Sequence, residues 1–352
     1  MSRILISNIV PPEFANKFNI SQAAYNFCSR LITNNCIDYI YSIIPPKQST
    51  ITIDNKDNYL YFANSINNKR FVFINHIINN IKCALKTQKH DELWFYNICP
   101  SNLICFIICR YMLRRKTYVI LLDYTPCKNF LNINHYVPFL IKNSYGLIKL
   151  SDRSLINHKN ELSLAGIISS IDIKPFTPLL KNKKLVFLFS GVLNDITGLP
   201  LAINVFKHLK NIDLYISGVG SFNIKEIDKY SNIHYLGYLD YKTYINLYDK
   251  IDVCLSLRNP QYKENINNFP SKIIEYFTFN KIVISTINYP ELNGCKYLYS
   301  EYSENKLIQT IYNLGKLNIK ELNKLRNNNN ILIEKFSTKK WIEAFKYIEN
   351  NK

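Results

Sequence analysis

The sequence predicts an α/β protein with two domains, each built on a parallel sheet. Strand-like runs alternate with helical patterns along the whole chain, and that alternation is typical of parallel α/β units. The chain has 352 residues, whereas a single hydrophobic core stops growing near roughly 250–300 residues. Hydrophobic residues make up 47% of it, enough apolar surface to favour a globular over a disordered chain. We therefore expect two cores.

The first predicted domain covers residues 1–172. Its predicted strands are residues 3–9, 92–98, 117–124 and 146–151. Helices are predicted from an N-cap at Ser21 through residue 33, and around residues 101–114. Residues 172–183 contain two prolines and little periodicity, so they are predicted to link the domains.

The second predicted domain covers residues 183–335 and repeats the alternation. Its predicted strands are residues 185–191, 212–218, 233–238, 253–257 and 281–286. Its predicted helices are residues 200–210, 241–249, 270–279, 304–314 and 319–335. Residues 336–352 form a further amphipathic helix, with Trp341, Phe345 and Ile348 at helical spacing.

The charge and the cysteines limit the possible partners and the compartment. The net charge of +18 suits an acidic partner such as a nucleotide or a phospholipid headgroup, although a general lysine bias is an alternative. No run of five like charges occurs, which argues against nucleic acid. Nine cysteines without a CxxC pair indicate reduced thiols and a cytoplasmic location. The N-terminal residues lack a signal-peptide pattern.

The apolar run at residues 103–113 leaves two interpretations open. It is broken by Arg110 and is too short to span a bilayer. Followed by the basic residues 114–116, it has the pattern of an interfacial helix, which would place the protein peripherally on the inner face of the cell membrane. A helix buried against the sheet fits the same run.

Glycine placement points to the second domain as the phosphate-binding one. Five of the nine glycines lie between Gly191 and Gly237, and phosphates held on backbone N–H groups need the close approach that glycine allows. The loops that begin at Gly191 and Gly218, the latter with Gly220, follow predicted strands, and ligands bind at that edge of open α/β sheets. Ordinary strand-to-helix turns are the alternative.

The stretch NNFPSKIIEY, residues 267–276, is the most informative motif. Pro270 and Ser271 begin a helix whose free N–H groups carry a positive dipole end. Lys272 lies in that first turn, where a cation is unfavourable unless an anion is near, and Glu275 follows one turn later on the face of Ser271. A ligand with a diphosphate and a ribose would satisfy this arrangement. The alternative is a solvated Glu275 paired with Lys272 or Lys281.

Together these segments resemble the donor domain of a GT-B glycosyltransferase, most closely the family 4 enzymes (glycosyl transferases group 1) of surface-polysaccharide synthesis. The resemblance covers about residues 183–290 and is carried by FSGVLN, IDLYISGVG, IHYLGYLDY, VCLSLRNP and NFPSKIIEY. It implies two Rossmann-like domains whose parallel sheets face each other across a cleft. The first domain would bind the acceptor, and the helix at 336–352 would pack back on it.

The resemblance also assigns roles to residues. Glu275 would bind the ribose, Lys272 and Arg258 would act on the diphosphate, and the loop containing Leu239 would frame the base. The remaining implied donor-binding residues are Gly191, Asn194, Gly218, Gly220, Pro270 and Ser271. The sequence departs from the family pattern at Asn267, where a second Glu is usual, and at Val192 and Thr197, where cations are usual; Arg258 would supply the lost charge.

The resemblance implies a metal-independent transfer of a sugar from a nucleotide diphosphate sugar to a glycan or lipid-linked acceptor, with retention at the anomeric carbon. If the reaction inverts, Asp123 at the end of a predicted strand is the candidate base; a helix cap or loop anchor is its alternative role. An epimerase on the same fold and a catalytically degenerate subunit that binds membrane or polyanion are the alternative functions.

Overall fold

The computed structural model describes residues 2–14, 22–46, 53, 55, 58–63, 71–179, 184–220, 222, 227 and 229–351. The chain divides into two compact units. The first consists of Met1–Ser169 together with Phe336–Lys352, and the second of Ser170–Lys335. None of the described helices is long and apolar enough to cross a membrane.

The first unit contains a parallel sheet of seven described strands in the order β3-β2-β1-β4-β5-β6-β7. The strands are β1 (Arg3–Ser7), β2 (Tyr39–Ile43), β3 (Tyr59–Phe62), β4 (Glu92–Tyr96), β5 (Lys116–Leu121), β6 (Gly146–Lys149) and β7 (Glu161–Ser163). The helices are α1 (Gln22–Thr33), α2 (Val72–Lys86), α3 (Leu103–Ile107, continued by a π-helical turn at Ile108–Met112), α4 (Val137–Lys142) and α12 (Thr338–Asn350).

The strand order places the helices on opposite faces of this sheet. Successive strands from β3 to β6 advance in one direction, so right-handed crossovers put α2, α3 and α4 on the same face. Their buried residues, such as Cys83, Phe106 and Leu140, share one core cluster. The connection from β1 to β2 runs the other way, and α1 packs on the opposite face, where Leu31 shares a cluster with Trp341 and Phe345 of α12.

The second unit contains a parallel sheet of six described strands in the order β10-β9-β8-β11-β12-β13. The strands are β8 (Phe187–Val192), β9 (Leu214–Val219), β10 (Ile233–Tyr235), β11 (Val253–Ser256), β12 (Ile282–Ser285) and β13 (Leu298–Tyr299). The helices are α5 (Leu199–Phe206), α6 (Tyr241–Leu247), α7 (Lys263–Asn267), α8 (Lys272–Thr278), α9 (Glu304–Lys316), α10 (Ile319–Arg326) and α11 (Asn329–Phe336). The strand order reverses between β8 and β11, and such a switch point is where doubly wound sheets bind ligands.

The predicted α/β class with two parallel sheets is confirmed, whereas one predicted element is wrong. The single helix predicted at 319–335 is two helices, because Asn327 is extended (φ −90°, ψ 94°). The buried Asn328 then pairs with the backbone of Lys296, accepting from its N–H at 2.7 Å and donating to its carbonyl at 3.1 Å. The N-cap predicted at Ser21 lies outside the described residues.

Candidate functional site

Glycines lie at the carboxyl ends of β8 and β9, on the edge where the strand order switches. Gly191 and Gly218 are partners in the parallel register, and both have positive φ, at 140° and 148°. A Cβ on Gly218 would lie 1.8 Å from the carbonyl oxygen of Gly191, so close packing of the two strands requires glycine there. A Cβ on Gly191 would have no atom within 4 Å. Open space therefore adjoins the backbone at the end of β8.

The other predicted phosphate-loop residues are held by contacts within the protein. Asn194 Oδ1 accepts a hydrogen bond from the N–H of Thr197 at 3.0 Å, and Thr197 Oγ1 donates to the carbonyl of Val192 at 2.6 Å. A Cβ on Gly198 would lie 1.7 Å from the carbonyl oxygen of Leu257. A Cβ on Gly220 would likewise lie 2.0 Å from the carbonyl oxygen of Leu193. Backbone packing therefore accounts for both glycines.

Helix α8 positions the two predicted charged residues. Pro270 is buried and Ser271 is exposed; the Ser271 side chain makes no capping hydrogen bond. The apolar side of the helix packs into the second unit through Ile273, Ile274 and Phe277. Lys272 and Glu275 are three residues apart, so they lie on the same side of the helix, and both are partly exposed. Glu275 interrupts the apolar run because its side chain belongs to a polar network.

That polar network joins α8 to strand β8 and helix α6 through four hydroxyl groups. Lys272 Nζ donates to Ser190 Oγ at 3.2 Å. The Ser190 hydroxyl lies 2.8 Å from the Tyr244 hydroxyl and 3.0 Å from the Tyr276 hydroxyl. The Tyr244 and Tyr248 hydroxyls are 2.6 Å apart, and Tyr248 donates to Glu275 Oε1 at 2.8 Å. A chain of hydrogen bonds therefore connects Lys272 with the Glu275 carboxylate.

The carboxylate fixes the direction of every bond in this chain. Each hydroxyl has one proton to donate and two lone pairs to accept with. Because Tyr248 donates to Glu275, Tyr244 must donate to Tyr248, and Ser190 must donate to Tyr244. Ser190 then accepts from Lys272 and from Tyr276, which fills both of its lone pairs. Each of the four hydroxyl groups thus donates its proton within the network, and such a connected set of hydrogen bonds holds its members rigidly.

Burial sets the protonation chemistry of the network. It lowers the pKa of Lys272, and the negative charge of Glu275 partly opposes that shift. The ammonium also lies 4.8 Å from the centre of the Tyr244 ring, a favourable cation–π distance. Burial raises the pKa of Tyr244 and of Tyr248 well above the ordinary tyrosine value. Both hydroxyls therefore stay protonated as donors at neutral pH.

Arg258 follows β11 on the other side of the switch point. Its Nη1 donates to Asn265 Oδ1 at 3.0 Å, and its carbonyl accepts from Thr286 Oγ1 at 2.7 Å. Asn267 is 2% exposed and donates to the carbonyl of Lys263 at 3.0 Å. Leu239 is half-buried in the loop after β10. That loop begins where the N–H of Leu236 donates to the carbonyl of Ile216.

Asp123 lies in the first unit, after β5, with its side chain exposed. The network around Lys272 and Glu275 belongs to the second unit. Sequence reasoning missed four members of that network, namely Ser190, Tyr244, Tyr248 and Tyr276. Their one sequence signal is the spacing of Tyr244 and Tyr248, four residues apart and so on one side of a helix.

Comparisons with known proteins agree with this architecture. Residues 170–329 match the family model described as glycosyl transferases group 1. The Anabaena protein Alr3699/HepE, solved in complex with UDP and glucose, has a similar structure, with TM-score 0.70, 11% identity and 100% of each chain covered. So does a trehalose-6-phosphate synthase studied for glycosyl transfer with retention (TM-score 0.68, 13% identity, 99% of each chain).

The lipopolysaccharide outer core galactosyltransferase WaaB is also similar in structure, with TM-score 0.62, 13% identity and 99% of each chain covered. No curated protein sequence matches this chain significantly. The family match spans almost the whole second unit, which carries the polar network around Lys272 and Glu275. Residues 170–329 therefore match the glycosyl transferases group 1 family, and the chain has the two-domain α/β fold of the GT-B glycosyltransferases that it resembles in structure.

Proposed function

We propose that the protein transfers a sugar from a nucleoside diphosphate sugar to a glycan or lipid-linked acceptor in the synthesis of a surface polysaccharide. The observation that carries the proposal is the hydrogen-bonded group of Lys272, Ser190 and Glu275 beside the open face of Gly191. Lys272 supplies a cation for the diphosphate. The second oxygen of Glu275, which Tyr248 does not use, accepts hydrogen bonds from the ribose hydroxyls.

The transfer proceeds with retention. The bond between the anomeric carbon and the diphosphate oxygen breaks while a bond to the acceptor oxygen forms on the same face of the sugar. The acceptor's proton passes to the departing diphosphate. Lys272 stabilises the negative charge that develops on the leaving oxygen, with Arg258 as a second cation at the switch point, and such preorganised charge lowers the barrier. The similar trehalose-6-phosphate synthase structure, which concerns retention, supports this choice.

No general base in the first unit and no metal ion are required by this mechanism. In an inverting reaction Asp123 would instead take the acceptor's proton. NMR of the product's anomeric configuration distinguishes the two, and activity that persists in EDTA tests metal independence.

Nucleotide binding tests the donor site directly. A ligand that binds only the native state adds about 2.7 kcal/mol of stability at a hundredfold excess over its dissociation constant. We expect one of UDP, GDP, ADP and CMP to raise the melting temperature of the wild type, and Glu275→Ala to abolish the shift. Glu301→Ala is the matched control, because the Glu301 side chain is 62% exposed and pairs with Lys306 at 3.7 Å.

Two results would count against the proposal. If no nucleotide shifts the wild type, the catalytically degenerate subunit becomes the better description. If the shift persists unchanged in Glu275→Ala, the ribose role of Glu275 is wrong.

A further inference from the structure

Helix α2 buries four polar side chains and exposes five large apolar ones. Its buried residues include Asn75, His76, Asn79 and Asn80. Its exposed residues include the large apolar side chains Phe73 (64% exposed), Ile74, Ile78, Ile81 and Leu85 (66% exposed). A surface helix of a globular protein normally shows the opposite arrangement.

The buried asparagines have a structural reason to be there. Asn80 Nδ2 donates to the carbonyl of Ser101 at 3.0 Å, and its Oδ1 accepts from the N–H of Cys105 at 2.9 Å, in the first turn of α3. Asn79 Nδ2 donates to the carbonyl of Ala63 at 2.9 Å. The inner side of α2 therefore ties neighbouring loops together. The apolar outer side has no such internal role.

The apolar surface continues on the adjoining helix. Helix α2 packs against α3 and its π-helical turn, and both contribute to one core cluster on the same face of the sheet. The outer side of this second helix exposes Ile107, Tyr111 and Met112, the last at 72%. We define the outer helix face as these three residues together with Phe73, Ile74, Ile78, Ile81 and Leu85. Large exposed apolar side chains gathered on two helices that pack together are typical of an interaction site.

Basic residues outnumber acidic ones in the part of the chain that carries the outer helix face. Residues 71–145 contain nine Lys and Arg against three Asp and Glu. Two of those acids, Asp91 and Glu92, are buried at 7% and 3% exposure, and Glu92 pairs with Lys116 at 2.8 Å. The basic side chains of α2 itself, Lys82 and Lys86, are exposed. An apolar strip with exposed lysines on the same helix, in a segment where two of the three acids are buried, complements an anionic lipid surface.

We propose that the outer helix face docks the protein on a membrane that contains anionic lipids, with α2 lying in the plane of the headgroups. A 15-residue helix is about 22 Å long, shorter than the roughly 30 Å hydrocarbon core of a bilayer, so lying flat suits it. A second copy of the chain is a poorer occupant, because a two-fold contact would bring the same cationic rims together. The proposal does not depend on the donor site.

Vesicle co-sedimentation of the full chain tests the proposal. We expect binding to vesicles of phosphatidylcholine with about 30 mol% phosphatidylglycerol, about tenfold weaker binding to pure phosphatidylcholine, and weakening by salt. The triple variant Phe73→Ser, Ile78→Ser, Leu85→Ser should lose at least about tenfold in affinity, because the inserted apolar area is gone. Lys82→Glu with Lys86→Glu should remove the preference for the anionic vesicles.

A matched control removes exposed apolar side chains from elsewhere. Tyr312, Ile333 and Tyr347 are 62%, 46% and 52% exposed, and changing all three to Ser should leave vesicle binding intact. Unchanged melting temperatures establish that the variants are folded, and an unchanged nucleotide-induced shift reports separately on the donor site.

Three outcomes overturn the proposal. They are no binding of the wild type to either vesicle, equal binding by the Phe73/Ile78/Leu85 variant, and a wild-type dimer that this variant converts to monomer without any vesicle binding. The last outcome would make the outer helix face an interface between copies of the chain.

Discussion

The Tyr248 hydroxyl donates a 2.8 Å hydrogen bond to Oε1 of Glu275, 27 residues further along the chain. Tyr248 is fully buried, and its ring stacks on Phe279 with the centroids 4.3 Å apart. The ring position is therefore fixed by packing, and the hydroxyl holds one carboxylate oxygen in place. The other oxygen is the one for which we propose contact with the ribose.

Tyr248→Phe should weaken donor binding while leaving the ring packing in place. A single hydrogen bond contributes about 0.5–1.5 kcal/mol net, so we expect Kd for the nucleotide found in the thermal screen to rise about two- to thirteenfold. Isothermal titration calorimetry measures the change. Tyr312→Phe, which alters a 62% exposed residue, is the control and should bind as the wild type does. Equal affinity of both variants would show that Glu275 needs no positioning.

Lys272→Met should lower kcat strongly while changing the free energy of unfolding little. Removing one preorganised stabilising group in other enzymes costs about 10²–10³ in kcat, and we expect a loss of that order. Methionine has a side chain of similar length. It carries no charge, so the cost of desolvating the ammonium, which lowers the pKa of Lys272, is absent in the variant. A variant with wild-type kcat would exclude Lys272 from the reaction.

Through Lys272, a rise in pH should weaken nucleotide binding but increase the free energy of unfolding. Burial lowers its pKa below the ordinary 10.5. If the ammonium holds the diphosphate as we propose, diphosphate binding should weaken as pH rises through this lowered value, earlier than for an ordinary lysine. The unfolded chain holds the proton more tightly, so the free energy of unfolding should increase over the same alkaline window. Calorimetric titrations and urea unfolding between about pH 7 and 10.5 measure both, and Lys272→Met should flatten both trends.

Gly218→Ala should destabilise the second unit. The new Cβ would lie 1.8 Å from the Gly191 carbonyl oxygen on a backbone with φ of 148°, so we expect a loss of about 1–3 kcal/mol or more. Gly315→Ala is the control, because Gly315 lies within helix α9 and a Cβ there meets no atom within 4 Å. It should stabilise by about 0.5–1 kcal/mol. Melting temperatures that move the same way in both variants would contradict the packing argument.

Glu349→Ala should loosen α12 from the first unit. The Glu349 carboxylate accepts from Arg3 Nε and Nη2, each at 2.7 Å, and from Trp94 Nε1 at 3.0 Å. Its side chain is 10% exposed, so the loss should reach about 2 kcal/mol. Glu343 on the same helix is 51% exposed and pairs with Lys340 at 3.6 Å. Its replacement by Ala should change the free energy of unfolding by no more than about 0.5 kcal/mol, as denaturant titration would show.

Most interior strands could be predicted from the sequence, but the interior strand Tyr39–Ile43 and several other elements could not. Strands such as Glu92–Tyr96 are buried along their whole length and give an uninterrupted apolar signal. The edge strands Tyr59–Phe62 and Leu298–Tyr299 contain four and two residues, too few for any period to register. Helix α2 escaped prediction for a different reason, since its buried side carries asparagine and histidine.

The candidate site, too, could be predicted only in part from the sequence. Lys272 and Glu275 stand out locally, as a cation at a helix start and a carboxylate in an apolar run, and their roles stay predictions until ligand binding is measured. Ser190 and Tyr248 reach this pair from other elements, through contacts that depend on how strand β8 and the turn after helix α6 are arranged in space. No local pattern encodes such a contact.

The placement of α12 in the first unit has a consequence for synthesis. Residues 1–169 leave the ribosome first, yet their core also contains Trp341 and Phe345, which are translated after the whole second unit. At a typical rate of about 5–20 residues per second, the partial first core waits at least several seconds with the α12 side of its sheet uncovered. The unit that is made first is thus the last to be completed, and it is during this interval that a chaperone would find apolar surface to hold.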